Sequence, residues 1–499
     1  MPCFENFGNL PTHLIQENGL VENKPASEVL DMIIIPGGSL IESGTIKGKL
    51  EKEIIKMADS GKFVLGICSG FQVLANGTDI GRLSATPIIR KGLGLIDTEI
   101  TPLICTDRVK ALITDKSYLT DAIGSQVTGF HCHTYGNILL HKNAKAILVS
   151  HTQRVDYFKE RKELISGVSN QRGNVVGVYL HALLDNNPII LEGICKSLNI
   201  SATDLSEIRK TNAKLQKQMK SELGILTNIH IKNLPTKNKA SRSLLITALG
   251  SESGKTFIVT GIAGALKKKG VNVGIVKVGG DIRDAVPALY LIKEPMKEYS
   301  SIIIGKSGWK SPQDALNEAS KDYELVIIEG AMSAFTGLLN EQIKKPSSTA
   351  EVAASLGVPT IVIAGASKEG VEGALVSTLN YVKLLKKLGV KTVGVILNKV
   401  HTSYLTNDLK QVIKQTYENA GVELLGIVPY VNLEGRGAIP EIEIKYEEFC
   451  TKAVETAETS IDIKRIAEVA APAAQTQVDY EALVKKFKNA LIRDFEAKI

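Results

Sequence analysis

Residues 63–72 read Phe-Val-Leu-Gly-Ile-Cys-Ser-Gly-Phe-Gln, an apolar strand pattern that runs into small residues and then into a helical pattern. The small residues around Cys68 permit a tight turn that lifts a nucleophile out of a sheet, as the serine elbow of hydrolases does. A helix N-terminus behind Cys68 would also stabilise its thiolate. The stretch predicts a strand, turn and helix that present a reactive cysteine, and a buried structural cysteine is the alternative.

Two other strand ends in the first half of the chain carry residues that suit the same chemistry. The run Ile-Ile-Ile-Pro-Gly-Gly ends at Gly38, so the amides of Gly37 and Gly38 are available to form an oxyanion hole. Residues 177–185 read Gly-Val-Tyr-Leu-His-Ala-Leu-Leu-Asp, which places His181 just past a strand, where it can act as the base for Cys68. Three strand ends therefore predict one cysteine–histidine site.

A phosphate-binding loop is predicted in the second half of the chain. Residues 244–256 read Leu-Leu-Ile-Thr-Ala-Leu-Gly-Ser-Glu-Ser-Gly-Lys-Thr, which is a strand, a loop of small residues and the start of a helix. Backbone amides near Gly250 and Gly254 can hold phosphate oxygens. Lys255 can reach the terminal phosphates and Thr256 can ligate Mg²⁺.

The loop departs from the usual phosphate-loop motif at two positions. Leu249 stands where the motif has its first glycine, and Glu252 places a negative charge within the loop. An anion would be repelled by Glu252 unless that side chain points outward, so the tripeptide Gly-Lys-Thr alone is a weak signal.

Polar residues at the ends of further strands strengthen the prediction of a nucleotide site. Lys277, Asp281 and Asp284 lie at or past the end of the next strand pattern. Glu329 ends another strand, a position suited to Mg²⁺. Asn398 ends a further one, where its amide can read the edge of adenine. An ordinary strand end is the alternative for each residue, but open α/β sheets bind ligands at this edge.

Strand patterns without polar alternation, separated by helical patterns, characterise both halves of the chain. They are typical of parallel sheets covered by helices on both faces. The predicted fold class is therefore α/β, with two doubly wound parallel-sheet domains. We predict a first domain at residues 1–203, a basic linker at 204–243, and a second domain at 244–499 with a C-terminal helix. The predicted strands are 32–35, 63–67, 146–150, 175–179, 244–249, 273–278, 325–328, 360–364 and 392–397.

The net charge of +7 comes from one stretch of the chain. Between Ser206 and Ser243 there are nine Lys or Arg and two Asp or Glu, so the remaining residues sum to zero. Such a stretch is more typical of a solvated linker than of a nucleic-acid surface. Six scattered cysteines without a CxxC pair suit a reducing cytoplasm. We expect a cytoplasmic protein that binds neither nucleic acid nor membrane. Formation of a homodimer is an open possibility.

With these motifs in this order, residues 4–200 resemble the class I glutamine amidotransferase domain of cobyric acid synthases and cobyrinic acid a,c-diamide synthases. The resemblance implies a flavodoxin-like sheet, with Cys68 as the nucleophile that forms a glutamyl thioester and His181 as its general base. The two glycines of the Pro-Gly-Gly run would line the oxyanion hole. Gln72 aligns with a glutamine near the nucleophile and is a candidate for glutamine binding.

Two regions depart from the amidotransferase pattern. Leu183 stands where many amidotransferases carry a glutamate, so the resemblance implies a cysteine–histidine dyad. Residues 129–133 read Gly-Phe-His-Cys-His, in which His133 matches the family and His131 replaces a carboxylate. If this region touches the acceptor in relatives, His133 is an acceptor-binding candidate. A strand with both imidazoles on one face is the structural interpretation, and a metal site is the alternative.

From Ser243 to Ala470 the chain is similar to the ATP-dependent domain of dethiobiotin synthetase and of the same two synthases, which has a P-loop NTPase fold. The phosphate-loop lysine and threonine then resemble the groups that hold phosphate and Mg²⁺, and Glu329 resembles a metal-associated acid. Asp281 and Asp284 resemble the acidic pair near the substrate carboxylate. ATP and Mg²⁺ are the implied cofactors. Relatives place the ATP domain first, so the domain order here would be reversed.

Together the resemblances imply an ATP-dependent, glutamine-hydrolysing ligase that amidates a carboxylate. Its substrates would be glutamine and a carboxylated tetrapyrrole such as cobyrinic acid, in cobalamin biosynthesis. Residue chemistry alone indicates only a carboxylate. One alternative is an amidotransferase with a different acceptor, which His131 and the reversed order favour. The other is a catalytically decayed regulator that binds nucleotide or corrinoid, which the atypical phosphate loop favours and the intact Cys68 and His181 oppose.

Overall fold

The computed structural model describes residues 5–156, 162–222, 241–339, 344–401, 403, 405–433, 444–474 and 476–493. The chain divides into two compact units, the first comprising Met1–Leu223 and Gly435–Lys445 and the second comprising Gly224–Glu434 and Tyr446–Ile499. Each unit has its own sheets and its own core, so each is described by itself.

The first unit begins with alternating helices and strands and continues as a run of strands. Its strands are β1 (Leu20–Val21), β2 (Lys24–Pro25), β3 (Met32–Ile35), β4 (Phe63–Ile67), β5 (Ala75–Asp79), β6 (Ile89–Lys91), β7 (Ile96–Cys105), β8 (Arg108–Ile113), β9 (Gln126–Phe130), β10 (His133–Leu140), β11 (Ala144–Thr152), β12 (Lys162–Asn170) and β13 (Val175–Val178). Its helices are α1 (Ala26–Val29), α2 (Leu40–Ser43), α3 (Lys49–Asp59), α4 (Ser69–Leu74), α5 (Leu183–Asn186), α6 (Pro188–Ser197) and α7 (Ala202–Glu222), and a 3₁₀ turn at Phe7–Asn9 precedes them.

A seven-stranded mixed sheet forms the centre of the first unit, in the order β3-β4-β13-β12-β11-β8-β9. The strands β3, β4 and β13 are parallel to one another, and the sheet continues through antiparallel pairs from β13 to β9. The strands β10-β7-β5-β6 form a second, four-stranded sheet. Because β4 and β13 are adjacent and parallel, the residues that follow them emerge at the same edge of the sheet.

Helices cover the parallel part of this sheet. Their apolar residues recur every three or four positions, so that one face of each helix is apolar. In α3, Ile54, Met57 and Ala58 follow the helical spacing of three and four residues and are all buried. In α4, Phe71 and Leu74 are fully buried in the same core as β4 and β13. This packing fixes α4 directly behind the turn that contains Cys68.

The second unit alternates strands and helices along its described length. Its strands are β14 (Arg242–Ala248), β15 (Val273–Val278), β16 (Ser301–Ile302), β17 (Leu325–Glu329), β18 (Thr360–Gly365), β19 (Thr392–Val400) and β20 (Glu423–Pro429). Its helices are α8 (Lys255–Lys268), α9 (Val286–Ile292), α10 (Pro312–Asp322), α11 (Thr349–Leu356), α12 (Gly370–Lys387), α13 (Asn407–Asn419), α14 (Tyr446–Ser460), α15 (Ile463–Val469) and α16 (Tyr480–Arg493).

A seven-stranded parallel sheet in the order β16-β15-β17-β14-β18-β19-β20 forms the core of the second unit. The residues of β15 and β17 are all buried, as non-alternating apolar strands between two helical layers must be. The first helix after the central strand, α8, buries ten of its residues, including Lys255. Since all seven strands are parallel, their carboxyl ends lie at one edge, where the phosphate loop, Glu329 and Asn398 are found.

The predicted α/β fold class is confirmed, with a parallel sheet in the second unit and a parallel core in the first. The first sheet is parallel only across three strands, because β12, β11, β8 and β9 extend it in antiparallel fashion. The predicted strand 273–278 coincides with β15, and the predicted C-terminal helix runs as α16 to Arg493, beyond which the residues are not described. No helix among the described residues has an apolar stretch long enough to cross a lipid bilayer.

The first part of the predicted linker is helical. Helix α7 covers Ala202–Glu222, and Asn212 within it is buried and donates a hydrogen bond to the carbonyl of Pro11 at 2.8 Å. This part of the stretch therefore packs on the first unit. Residues 223–240 lie outside the described residues, and the limits of the linker stay a prediction.

Candidate active sites

Cys68 lies between β4 and α4 in an unfavourable backbone conformation. Its φ is 51° and its ψ is −109°, a combination that costs a residue with a side chain about 1–3 kcal/mol. A Cβ atom on Gly70 would lie 2.1 Å from the carbonyl oxygen of Ile35. Because Gly70 has no side chain, α4 can approach β3 closely enough to hold the turn. The chain therefore has the strand, turn and helix that residues 63–72 predict.

His181 and Gly37 lie directly beside Cys68. A Cβ atom on Gly37 would be 2.9 Å from Cε1 of His181 and 3.3 Å from Cβ of Cys68. The thiol of Cys68 donates to the carbonyl oxygen of Cys132 at 3.6 Å, and its side chain also interacts with His181. His181 is fully buried. The structure thus brings together the predicted nucleophile, the predicted base and the first glycine of the predicted oxyanion hole.

Gly38 and Gln72 lie beside the first turn of α4. A Cβ atom on Gly38 would be 3.9 Å from Oγ of Ser69, the residue after Cys68. Nε2 of Gln72 donates to the carbonyl of Tyr135 and to the hydroxyl of Tyr179, each at 3.3 Å. Among the described residues, nothing hydrogen-bonds to the buried Oε1 of Gln72. Gln72 is thus held in place by its amide nitrogen, and its contact with glutamine stays a prediction.

The environment of His181 favours its protonated form. Burial opposes the charge, but hydrogen bonds and charge interactions with Cys68 and Glu5 outweigh it and raise the pKa of His181 to about 10. A protonated imidazole is the partner that stabilises a neighbouring thiolate. His181 therefore suits a role in which it holds the proton of the Cys68 thiol and returns it to a leaving group.

The side chain of Glu5 reaches the same histidine, a contact that the sequence did not predict. Oε1 of Glu5 lies 2.9 Å from Nδ1 of His181, and both side chains are almost completely buried. Burial raises the pKa of Glu5 more than its bonds to His181 and Ala182 lower it. The contact joins residues that are 176 positions apart, so no local pattern announces it.

His131 and His133 form a buried hydrogen-bonded chain. Nε2 of His133 lies 3.0 Å from Nδ1 of His131, whose Nε2 lies 2.8 Å from Oγ of Ser150. Nδ1 of His133 lies 3.1 Å from the carbonyl oxygen of Leu103. Burial, aided by the nearby His181, lowers the pKa of His131 to about 3. Both rings are engaged inside the first unit, which favours a structural role for the His-x-His run. The predicted single strand is wrong, because His131 lies between β9 and β10 and only His133 belongs to a strand.

This arrangement offers no direct support for the two other interpretations of the run. Within the described part of the chain, no group of three His, Cys, Asp or Glu side chains could hold a metal ion. His133 is 3% exposed. The contact of His133 with an acceptor therefore stays a prediction. For that contact to form, the side chains that cover His133 would have to move.

The phosphate loop of the second unit places Lys255 and Thr256 at the N-terminus of α8. Lys255 follows Gly254, whose φ of 81° and close contact with Asn398 exclude most side chains there. Nζ of Lys255 lies 3.1 Å from Oε1 of Glu329, and the hydroxyl of Thr256 donates to the same oxygen at 2.9 Å. Three of the predicted nucleotide and metal residues therefore meet at one point. A Cβ atom on Gly250 would meet nothing within 4 Å, so that end of the loop is open.

Lys277 and Asp284 complete a compact charged cluster around Glu329. Nζ of Lys277 lies 2.7 Å from Oδ2 of Asp284 and 3.9 Å from Oε1 of Glu329. Burial opposes its charge, but both carboxylates outweigh burial and raise the pKa of Lys277 above its usual value. Burial and the neighbouring Lys277 lower the pKa of Lys255. Two lysines thus face two carboxylates, and Lys277, predicted only to lie at a strand end near the nucleotide site, is part of this cluster.

Asp281, the other predicted acidic residue, is paired within its own turn. Nε and Nη2 of Arg283 each lie 2.7 Å from one carboxylate oxygen of Asp281. The Arg283 side chain that pairs with Asp281 is buried. Asp284 pairs with Lys277. The two predicted acceptor-binding acids therefore have different partners, and their contact with a substrate stays a prediction.

Glu252 and Asn398, whose roles the sequence leaves open, each have a defined contact in the structure. The side chain of Glu252 points outward and pairs with Lys368, so its charge does not fill the anion site. Nδ2 of Asn398 donates to the carbonyl of Ser253 at 2.8 Å. Asn398 therefore braces the phosphate loop in this conformation, and its predicted contact with adenine stays a prediction.

The residues at this point fit Mg²⁺ and a nucleotide phosphate. Oε2 of Glu329 is buried and has no hydrogen-bond partner among the described residues. A carboxylate oxygen and a threonine hydroxyl are hard oxygen ligands, which Mg²⁺ prefers together with phosphate oxygens and water. Glu329 and Thr256 would hold the metal, while Lys255 and the first amides of α8 would hold phosphate.

These two sites define a chain that joins an amidotransferase-type cysteine elbow to a P-loop-type nucleotide site. Residues 1–189 match the family model of the CobB/CobQ-like glutamine amidotransferase domain. Residues 244–436 match the family model of the CobQ/CobB/MinD/ParA nucleotide binding domain. The amidotransferase match comes first in this chain, and a reversal relative to relatives stays a prediction.

Named relatives match a limited part of the chain. A cobyric acid synthase from Thermoanaerobacter sp. (strain X514) is 31% identical over 172 residues, which is 33% of this chain and 33% of the relative. A hydrogenobyrinate a,c-diamide synthase from Mycobacterium bovis is 31% identical over 189 residues, covering 38% of this chain and 39% of the relative. The chain thus matches between 33% and 39% of the length of these relatives. Among solved structures, the MinD cell division protein of Aquifex aeolicus has a TM-score of 0.27 at 12% identity, covering 50% of this chain and 97% of its own.

Proposed function

We propose that this chain is a glutamine-dependent amido-ligase that uses ATP and Mg²⁺ to convert a carboxylate into an amide. The observation that carries the proposal is that one chain contains both a Cys68–His181–Gly37 site and a Lys255–Thr256–Glu329 site. Each site alone would suit a hydrolase or a nucleotide-binding protein. Only together do they supply both the ammonia and the activated carboxylate that amide formation needs.

At the first site, Cys68 would attack the side-chain carboxamide carbon of glutamine. The C–N bond breaks, a glutamyl thioester forms, and His181 gives its proton to the departing ammonia. The amides of Gly37 and Gly38 would hold the oxyanion that develops on the carbonyl oxygen. Water then hydrolyses the thioester to glutamate, with His181 as the base, and restores the thiol of Cys68.

At the second site, the acceptor carboxylate would attack the terminal phosphate of ATP. An acyl phosphate and ADP form, and ammonia then displaces phosphate to give the amide. Bound Mg²⁺ would offset the negative charge of the phosphates. Lys255 now pairs with Glu329; on nucleotide binding, Lys255 would turn to phosphate and Glu329 to the metal.

For the acceptor, we favour a corrinoid or a related tetrapyrrole, because the named relatives are synthases of cobyric acid and of hydrogenobyrinate a,c-diamide. The site itself indicates only a carboxylate. The contacts of Cys68 with His181 and of Lys255 with Glu329 argue against a decayed regulator. A different carboxylate acceptor is the remaining candidate, since His131 lies in a buried network that offers no acceptor contact.

An acceptor screen tests the proposal directly. Purified full-length protein would be given ATP, Mg²⁺ and glutamine with cobyrinic acid, hydrogenobyrinic acid or a set of smaller carboxylates. We expect acceptor-dependent release of ADP and glutamate in equal amounts, and a mass loss of about 1 Da per amide formed. If a non-tetrapyrrole carboxylate alone supports turnover, the enzyme class stands and the favoured acceptor is wrong. Glutamate release and ADP release that no acceptor stimulates would contradict the ligase function.

Removing the charge of Glu329 should weaken Mg²⁺-dependent nucleotide binding. In Glu329→Gln an uncharged amide replaces the carboxylate whose Oε2 is buried without a hydrogen-bond partner among the described residues. The metal ion would then lose its only predicted carboxylate ligand from the protein. We expect calorimetry to give at least a tenfold weaker affinity for ATP in the presence of Mg²⁺ and a much smaller change in its absence. Glu447→Gln, on the exposed start of α14, is the matched control. Equal Mg²⁺ dependence in both variants would show that Glu329 holds no metal.

A further inference from the structure

The carboxylate of Glu5 contacts the base of the first site from a distant part of the chain. Its Oε1 lies 2.9 Å from Nδ1 of His181, and its Oε2 accepts the backbone amide of Ala182 at 3.2 Å. Glu5 is 1% exposed and His181 is 0% exposed. Both oxygens of the carboxylate are therefore directed at the histidine and at the residue that follows it.

This contact decides which nitrogen of His181 faces the nucleophile. A carboxylate only accepts hydrogen bonds, so Nδ1 of His181 carries a proton that it donates to Glu5. The ring also interacts with Cys68, and Nε2 is the nitrogen left to exchange a proton with the thiol. A fixed tautomer and a fixed ring orientation are what a third carboxylate supplies to nucleophile–histidine pairs in general.

We propose that Glu5 is the positioning residue of His181, a role that rests on the proposed glutaminase activity of Cys68. The residue two positions after the histidine is Leu183, which is fully buried and apolar and cannot serve. Glu5 supplies the carboxylate from the start of the chain instead. The site is then a cysteine–histidine–glutamate arrangement rather than the dyad that the sequence implies.

The segment that carries Glu5 is fastened to the region of His181 by Asp185. Oδ2 of Asp185 accepts the amide of Asn6 at 2.7 Å, and Oδ1 accepts the amide of Gly8 at 2.8 Å. Asp185 belongs to α5, which starts two residues after His181. The nucleophile's base and the carboxylate that orients it are thus held together by one short helix.

Helix α7 holds the same segment from another direction. Nδ2 of Asn212 donates to the carbonyl of Pro11 at 2.8 Å, and Nε2 of Gln216 donates to Oδ1 of Asn9 at 3.3 Å. Phe7 and Asn9 have φ values of 52° and 58°, each of which costs about 1 kcal/mol or more. Such a backbone persists only where surrounding contacts hold it, and here those contacts place Glu5 beside the histidine.

The decisive variant is Glu5→Gln, which keeps the shape of the side chain and removes its charge. We expect the glutaminase kcat to fall on the order of a hundredfold or more, with KM for glutamine changed by less than about threefold, because Glu5 touches His181 and not the substrate. Glu5→Asp should recover part of the loss. Glu22→Gln, an exposed glutamate of the same unit, is the control that should keep wild-type kcat. A Glu5→Gln kcat within threefold of the wild type would overturn the proposal.

A second readout separates this proposal from the proposed function. Alkylation of Cys68 by iodoacetamide, followed by mass spectrometry, measures the reactivity of the thiol without glutamine. We expect Cys68 in Glu5→Gln to react at least tenfold more slowly than in the wild type, while the control Cys195 is unaffected. If the wild type has no glutaminase activity, the proposed function fails, but a slower alkylation in Glu5→Gln would still support positioning by Glu5. Equal alkylation rates would contradict it.

Asp185→Asn provides a test if Glu5→Gln does not fold. Asp185 is exposed, so its replacement spares the core and weakens only the fastening of the segment. We expect a loss of kcat of on the order of tenfold at unchanged KM, with the alkylation of Cys68 slowed in parallel. Unchanged kcat and unchanged alkylation in a variant with wild-type thermal stability would overturn the proposal.

Discussion

Replacing Cys68 by alanine should abolish glutamine-dependent amide formation and leave ammonium-dependent amide formation intact. Only the thiol can form the glutamyl thioester, and the remaining residues of both sites are unchanged. Ammonia from solvent can still attack an activated carboxylate. The loss of the glutamine-dependent rate should be on the order of a thousandfold or more, as nucleophile removal costs in comparable dyads and triads.

The measurement compares amide formation with glutamine and with concentrated ammonium salt at a pH where free ammonia is present. Cys195→Ala, which removes a free thiol outside the site, is the matched control and should keep both activities. Full glutamine-dependent activity in Cys68→Ala would refute the amidotransferase assignment. Loss of the ammonium-dependent activity as well would show that the two sites do not act separately. Alanine, like cysteine, carries a Cβ atom, so the backbone strain at position 68 stays nearly the same in Cys68→Ala. A change in activity would therefore report the loss of the thiol.

The parts of the fold that follow local rules could be predicted from the sequence. Buried parallel strands have no polar alternation, and Val273–Val278 is such a run, with every residue buried. The turn at Cys68 is announced by the small residues beside it, because a strained turn and a close helix need them. The residues at strand ends then meet at the same edge of a parallel sheet, which is why Lys255, Thr256 and Glu329 come together.

In the antiparallel part of the first sheet, the sequence predicts a strand at 146–150, within β11, but not its antiparallel pairing and not β8, β9 or β12. Part of the signal for these strands is nevertheless present in the sequence. Strand β8 reads Arg-Val-Lys-Ala-Leu-Ile and alternates strictly between exposed and buried residues. Such alternation is typical of an antiparallel strand with one solvated face. Non-alternating apolar runs indicate only strands that are buried on both faces, and β8 is not such a strand. Pairing partners and register in this region depend on contacts between strands that sequence patterns do not specify.

Contacts between distant residues account for the differences at the two sites. The partner of His181 is Glu5, which comes from the opposite end of the unit and has no fixed spacing to the histidine. Asn398 braces the phosphate loop through Ser253, a contact that depends on the path of the loop. Glu252 was compatible with phosphate binding only if it pointed outward, and its contact with Lys368 meets that condition.

Replacing Lys255 by alanine should abolish both glutamine-dependent and ammonium-dependent amide formation, while glutamine hydrolysis at Cys68 persists at its basal rate. Lys255 is the cation at the N-terminus of α8 that would hold the phosphate to be transferred, and no acyl phosphate forms without it. Losing one such charge-stabilising group typically lowers the rate by on the order of a hundredfold or more. Both routes to the amide need the activated carboxylate, so both should fall by the same factor.

The result depends on the second unit remaining folded, and the contacts of Glu329 make that the expected outcome. Without Lys255, Glu329 keeps the hydroxyl of Thr256 at 2.9 Å and the ammonium of Lys277 at 3.9 Å, so its buried charge is still compensated. Lys269→Ala, at the exposed residue that follows α8, is the matched control and should retain wild-type rates. Thermal unfolding would verify that Lys255→Ala is folded at the assay temperature. Retention of ammonium-dependent amide formation in a folded Lys255→Ala variant would mean that Lys255 is not the phosphate-holding group. Loss of basal glutamine hydrolysis in the same variant would instead mean that the charged cluster at Glu329 controls the Cys68 site.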